Sequence, residues 1–110
     1  MNAVAQRESA LAMANEVRLC RSDARRTISA MPFREGRHAI ADLIEEGNPA
    51  WRTAKLTYVL RFPASSGPSY ERRMRRVAGG NVGALGATAT LGSLTDRQRE
   101  FLVLAIRRTA

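Results

Sequence analysis

Arg72, Arg73, Arg75 and Arg76 crowd into a single stretch, directly after a run dense in turn formers, Pro63-Ala64-Ser65-Ser66-Gly67-Pro68-Ser69. A guanidinium is planar, permanently charged and forked, and it matches the geometry of a phosphate. A helix opening near Ser69, with Ser69 as its cap, points free backbone N–H groups outward, and its dipole favours an anion there. Ser65, Ser66 and Ser69 supply hydroxyls at that end. Gly67 lets the backbone approach a ligand closely, and a bulky β-branched residue in its place is expected to strain the turn. Arg72 and Arg73 flank the same point. The chemistry on offer is anion binding, although an ordinary interhelical loop followed by a solvated charged face fits the same spacing.

Other residues with chemical potential are less well placed. Arg18, Arg21, Arg25 and Arg26 recur at three- and four-residue spacing and form one basic stripe on a helix, which also fits a solvated face. His38 is the single histidine and Cys20 the single cysteine, so neither a His-rich metal centre nor a four-cysteine metal site can form, and no intrachain disulfide is possible. Cys20 reads as a small core residue. Glu45 and Glu46 are adjacent on a helix, where their side chains diverge. Gly79, Gly80 and Gly83 follow a helix rather than a strand, with no Gly-Lys-Ser/Thr after them, which argues against a nucleotide phosphate loop. No catalytic residue, metal or cofactor is expected, and the chain reads as a non-enzyme.

The charge balance supports a polyanionic partner. The formal net charge is +8, and every basic residue except Lys55 is Arg. Codon usage in a GC-rich genome produces the same bias, so the distribution carries more information than the total. Residues 1–54 hold eight basic and seven acidic side chains, net +1, whereas residues 55–110 hold ten and three, net +7. A basic half beside a nearly neutral one points to nucleic acid or another polyanion. No apolar run is long enough to span a membrane, and the N-terminal residues lack a signal peptide's apolar stretch, so a cytoplasmic location is expected.

The elements that must position these residues are helical. At 110 residues the chain suits one domain, and with aromatics at only 5 % its core must come mainly from Leu, Ile, Val, Ala and Met. Residues 1–8 have little pattern and read as a flexible N-terminus; residues 9–110 form the domain, starting with Ser9 as the cap of a long helix that Pro32 stops near Ala30. A helix follows over Glu35–Glu46, ended by Gly47. Asn48 then caps a short helix with Pro49 at its first position, anchored by Trp51 and Ala54. Thr57 caps another, carrying Tyr58, Val59, Leu60 and Phe62, and Pro63 ends it. The Arg-rich helix runs from Ser69 through Tyr70, Met74 and Val77 to Gly79-Gly80, with Arg72, Arg73, Arg75 and Arg76 exposed. The stretch 79–93, with five glycines, reads as the most flexible internal part. Thr95-Asp96-Arg97-Gln98 has capping-box spacing and opens the last helix, whose apolar face is Phe101, Leu102, Leu104, Ala105 and Ile106. Five or six helices with short connections and no alternating strand make an all-α, compact single domain.

Within this order of elements the chain resembles the actinobacterial integration host factors. Lys55-Leu-Thr-Tyr-Val-Leu-Arg-Phe-Pro-Ala-Ser-Ser-Gly67 is similar to that family's K-V-S-A-L-L-E-A-L-P-K-V-G, which enters a helix-two-turns-helix element. Leu94-Thr95-Asp96-Arg97-Gln98-Arg99 resembles its L-G-x-x-Q-R at the start of the last helix, and the Ala/Arg-rich run from Ala10 through Arg26 resembles its long first helix. There are departures. Pro63 precedes Gly67 by four residues rather than three, and Gly86–Ser93 is uncharged where the family carries several Arg, so a DNA contact made there by relatives would be lost or moved to Arg75 and Arg76. The resemblance implies a DNA-bending, nucleoid-associated or recombination-accessory protein, bacterial or phage-encoded, that binds double-stranded DNA with little sequence preference alongside recombination or nucleoid partners. The residues expected to contact DNA are Lys55, Ser65, Ser66, Gly67, Ser69, Arg72, Arg73, Arg97 and Arg99. A structured RNA and an acidic protein surface are the alternative partners, because both present anions to the same Arg face.

Overall fold

The computed structural model describes residues 3–80 and 85–110. Five α-helices follow in order: α1 (Ala3–Ala30), α2 (Phe33–Glu46), α3 (Leu56–Val59), α4 (Pro68–Gly79) and α5 (Asp96–Arg108), with 3₁₀ turns at Pro49–Trp51 and Leu91–Ser93. No strand occurs among the described residues; Lys55 and Thr90 form one isolated antiparallel bridge. The domain is all-α with a long N-terminal helix, as the apolar periodicity indicates.

Local stop and start signals set most boundaries. Pro32 separates α1 from α2, and α2 starts at Phe33, two residues before Glu35, because the residue after a proline can enter a helix at once. Gly47 ends α2 in the left-handed region (φ 67°). The Asn48 side chain accepts from the Ala50 N–H at 2.9 Å, with Pro49 at the first helical position. Thr95 and Gln98 complete the capping box, Oγ1 accepting from the Gln98 N–H at 3.1 Å and Oε1 from the Thr95 N–H at 2.9 Å.

Several expectations are corrected. α1 begins at Ala3, so Ser9 lies inside it and residues 3–8 are helical; Ala, Gln, Arg and Glu are good helix formers with no breaker among them. Residues 1 and 2 of the expected flexible N-terminus lie outside the described residues. Cys20 is exposed, because α1 buries only Ile28 fully. α3 starts at Leu56 rather than after Thr57, since the Leu56 N–H already has a partner in the Ala89 carbonyl (3.0 Å). α4 starts at Pro68, with Gly67 at the cap position and Ser69 inside the first turn. On α5 the buried residues are Leu102, Val103 and Ile106, while Phe101 and Leu104 are exposed.

The core lies where α2, α4 and α5 meet, around Ile40, Leu56, Leu60, Met74, Leu102 and Ile106. Residues 85–93, the described part of the Gly-rich stretch beyond α4, are tied to it. Leu91 N–H donates to Ala54 O (3.0 Å), Gly92 N–H to Arg52 O (2.8 Å), and Leu85 N–H to Arg75 O (3.2 Å). Leu91 and Leu94 are buried. Residues 81–84 lie outside the described residues.

These contacts separate the glycines by consequence. A Cβ on Gly92 would stand 2.8 Å from the Arg52 carbonyl oxygen, whereas one on Gly67 would meet nothing within 4 Å, at an ordinary φ of −95°. The expected strain on replacing Gly67 is therefore absent from this turn. Gly92→Ala is expected to destabilise the protein by about 1–3 kcal/mol and lower Tm by several degrees in a thermal melt, because backbone faces backbone. Gly67→Ala is expected to leave Tm within about 2 °C of the parent. Equal melting of the two variants would contradict this packing.

Candidate nucleic-acid interface

Between α3 and α4 the chain turns twice, at Leu60–Arg61 and again at Pro63–Ser65. Ser65 is the residue forced into the left-handed region (φ 62°), and it is the one non-glycine among the described residues with positive φ. Arg37 of α2 holds it there. Its guanidinium donates to Ser65 O (3.2 Å), Ser66 Oγ (3.4 Å) and Thr109 O (2.6 Å), and its carbon lies 4.1 Å from the centre of the Tyr70 ring. One arginine thereby joins α2, the second turn, α4 and the end of α5. Ser66 is buried by this arrangement and its hydroxyl serves Arg37.

α4 opens beyond that turn with no side chain capping it. Pro68 has no N–H to leave unsatisfied. Gly67 and Ser69 are exposed at the helix start, and Arg72, Arg73 and Arg76 are exposed on its outer face. Arg72 donates back to Pro68 O (3.4 Å), and Arg73 lies 5.7 Å over the Tyr70 ring. None of the three forms an ion pair with a described residue.

Arg75 behaves differently, against the expectation that all four arginines are exposed. It turns inward to Glu71, Nε to Oε1 at 3.2 Å, and its Nη1 donates to Leu85 O at 2.9 Å. Glu71 is only 2 % exposed and receives Arg61 from its other side, with Nε and Nη2 each 2.7 Å from Oε2. Arg75 is thereby a packing residue, and of the two arginines to which a lost DNA contact was expected to move, Arg76 alone is exposed.

The other expected site residues are dispersed. Arg97 is exposed, 5.7 Å over the Phe101 ring, and lines a hollow with Gly79 and Gly80, so it stands at the far end of α4, which lies about 11 Å from Arg72 along the helix. Arg99 lies two residues on, roughly 200° around α5. It pairs with Asp96 (3.5 Å) and lines a different hollow with Trp51, Arg52 and Gly92. The two do not share one contact surface. Lys55 is exposed beside Thr90, to which its backbone is bridged.

Sequence reasoning missed Arg37, which brings α2 to the start of α4 through the Tyr70 ring; Arg34 and Arg37 also lie 5.7 and 5.1 Å from the exposed Phe33 ring on α2 itself. It also missed Glu71, although Glu71 and Arg75 stand at the i,i+4 spacing that favours a pair. Arg107 has its pKa raised by hydrogen bonds to Asp42 and Glu45, so its charge is matched by carboxylates at the surface. His38 is exposed, and no cluster of three His, Cys, Asp or Glu side chains suited to a metal occurs among the described residues. No helix among them is long and apolar enough to cross a membrane. No protein-family model, curated protein or solved structure matches the chain.

Removing one member of a buried ion cluster leaves the others uncompensated. Glu71→Ala is expected to cost about 3–5 kcal/mol in urea unfolding, because it strands Arg75 in the interior. Arg61→Ala, at a half-exposed partner that water can replace, is expected to cost about 1 kcal/mol or less. A Glu71→Ala protein as stable as the parent would show that the cluster does not hold α4.

Proposed function

We propose that the protein binds duplex DNA through the outer face of α4, as a nucleoid-associated or recombination-accessory architectural protein that acts without catalysis. The observation that carries this reading is the set Arg72, Arg73 and Arg76, exposed and without carboxylate partners among the described residues, beside a helix start that no side chain caps. Phosphates are the anions that such a row of forked cations and free N–H groups suits. The short α3, two turns and α4 read as a helix-two-turns-helix element, in line with the resemblance to the actinobacterial integration host factors. Arg37 stiffens that element by holding Ser65. The partner surface would be the sugar-phosphate backbone, and bending or compaction would follow from how several chains engage it.

Low sequence specificity follows from residue type. Contacts to phosphate carry no sequence information, and α4 has no Asn or Gln to read adenine. Affinities for random duplexes of one length are expected to fall within about tenfold of each other in a gel shift. One site bound about a thousandfold more tightly would overturn this.

Charge reversal at Arg72 and Arg73 together is expected to weaken duplex binding by roughly tenfold or more while helical content stays intact. If this Arg face neutralises about five phosphates, log affinity should fall with log salt at a slope of about −4 to −5, and Arg73→Ala should reduce the slope by about one. Competition between random duplex and structured RNA separates DNA from RNA. A nearly salt-independent complex, or tighter retention on an acidic protein than on DNA, would favour the alternative in which the partner is an acidic protein surface.

A further inference from the structure

A second groove, between α1 and α3, has a composition that the duplex-binding face does not explain. Two hollows of about 340 and 390 Å³ meet there and share Arg25 and Tyr58. Among the described residues no carboxylate lines either one. Of the basic stripe on α1, Arg26 turns to Asp23 (3.6 Å), and Arg21 is committed to structure, donating to Ala50 O (2.8 and 3.1 Å) and Thr53 Oγ1 (2.7 Å). Arg18, which among the described residues donates only to the neutral Asn15 side chain, and Arg25 remain, and Arg61, its charge already held by Glu71, walls the groove on the α3 side.

Tyr58 is the unusual member. It is 38 % exposed on a four-residue helix. Its ring is not loose: it meets Phe62 edge-on, with centroids 4.8 Å apart at 87°, and the Arg25 guanidinium lies 5.9 Å from its centre. Phe62 is buried and meets Trp51 at 5.8 Å, so the platform is anchored in the core. A fixed, half-exposed aromatic ring flanked by two arginines that have no carboxylate partner among the described residues is an arrangement that receives a nucleic-acid base, with the ring taking the base and the cations the backbone. A duplex hides its base faces in the stack, and a polyanion of Asp and Glu side chains offers no aromatic ring to stack on Tyr58. We propose that this groove binds an unpaired nucleic-acid strand, with Tyr58 as the stacking platform and Arg18 and Arg25 as backbone contacts. This stands independently of duplex binding by α4.

The test is fluorescence anisotropy of the full chain with two probes, a labelled single strand of ten thymidines and a labelled random duplex. Tyr58→Leu keeps an apolar contact for Phe62 and removes the stacking face. It is expected to weaken binding of the single strand by about tenfold and to leave duplex affinity within about twofold. Arg25→Gln, on an exposed helix position that does not threaten folding, is expected to weaken the single strand and flatten its salt dependence. Charge reversal at Arg72 and Arg73 should show the opposite preference, so a failure of the α4 reading is seen in the duplex arm alone. The proposal is overturned if the parent does not bind the thymidine strand, if Tyr58→Leu and Arg25→Gln bind it as well as the parent does, or if polyglutamate of matched charge displaces it equally well.

Discussion

The buried carboxylate of Glu71 decides which way α4 faces. An isolated carboxylate in a protein interior costs several kcal/mol, and the cost is offset only by close, well-directed cations. Arg61 supplies directed contacts at 2.7 Å, and from the other side Arg75 Nε brings its charge to 3.2 Å without completing a hydrogen bond. With Glu71 and Arg75 turned to that side, the helical repeat puts Tyr70, Met74 and Ala78 into the core and leaves Arg72, Arg73 and Arg76 outside. A strongly basic chain thus consumes two cations internally to orient three others. Arg75 also reaches Leu85 O, which fastens the chain beyond α4 back onto the helix.

Guanidinium groups serve as connectors elsewhere too. Arg37 joins α2 to the Ser65–Ser66 turn and to the end of α5, and Arg21 joins α1 to the 3₁₀ turn at Pro49–Trp51. Each also lies over an aromatic ring, Tyr70 for Arg37 and Trp51 for Arg21. The planar head explains why this works: it presents several donors in fixed directions and a flat face for a ring. Net charge alone therefore overstates the basic surface. The arginines available to a ligand are those left after the connectors and the ion pairs are set aside.

That division marks the boundary of what the sequence discloses. Helix ends were legible at Gly47, Asn48-Pro49 and Thr95–Gln98, because a cap or a left-handed terminus is satisfied within three residues of itself. Arg75 could not be told from Arg72, Arg73 and Arg76 in the same way, since its burial depends on Arg61 and on Leu85, ten residues away on either side of the cluster's members. The same holds for Ser65 and Ser66: their roles come from Arg37, 28 and 29 residues earlier. Gly67, the residue whose type suggested an unusual backbone, has an ordinary one, and the left-handed position falls to Ser65 instead.

The uncharged run 86–93 acquires a reason from the same packing. α3 has four residues, far too few to be stable alone. Its backbone is completed from this distant segment: Leu56 N–H reaches Ala89 O, Lys55 bridges Thr90, and Leu91 N–H returns to Ala54 O. Leu91 fills the core beneath, and Gly92 passes too close to Arg52 for any side chain. A run that must lie flat against its own core, with one position closed to every Cβ, is a poor place for a row of arginines. Its contribution is indirect. By fixing α3 it fixes Tyr58 and Arg61, and through Arg61 the carboxylate that orients α4.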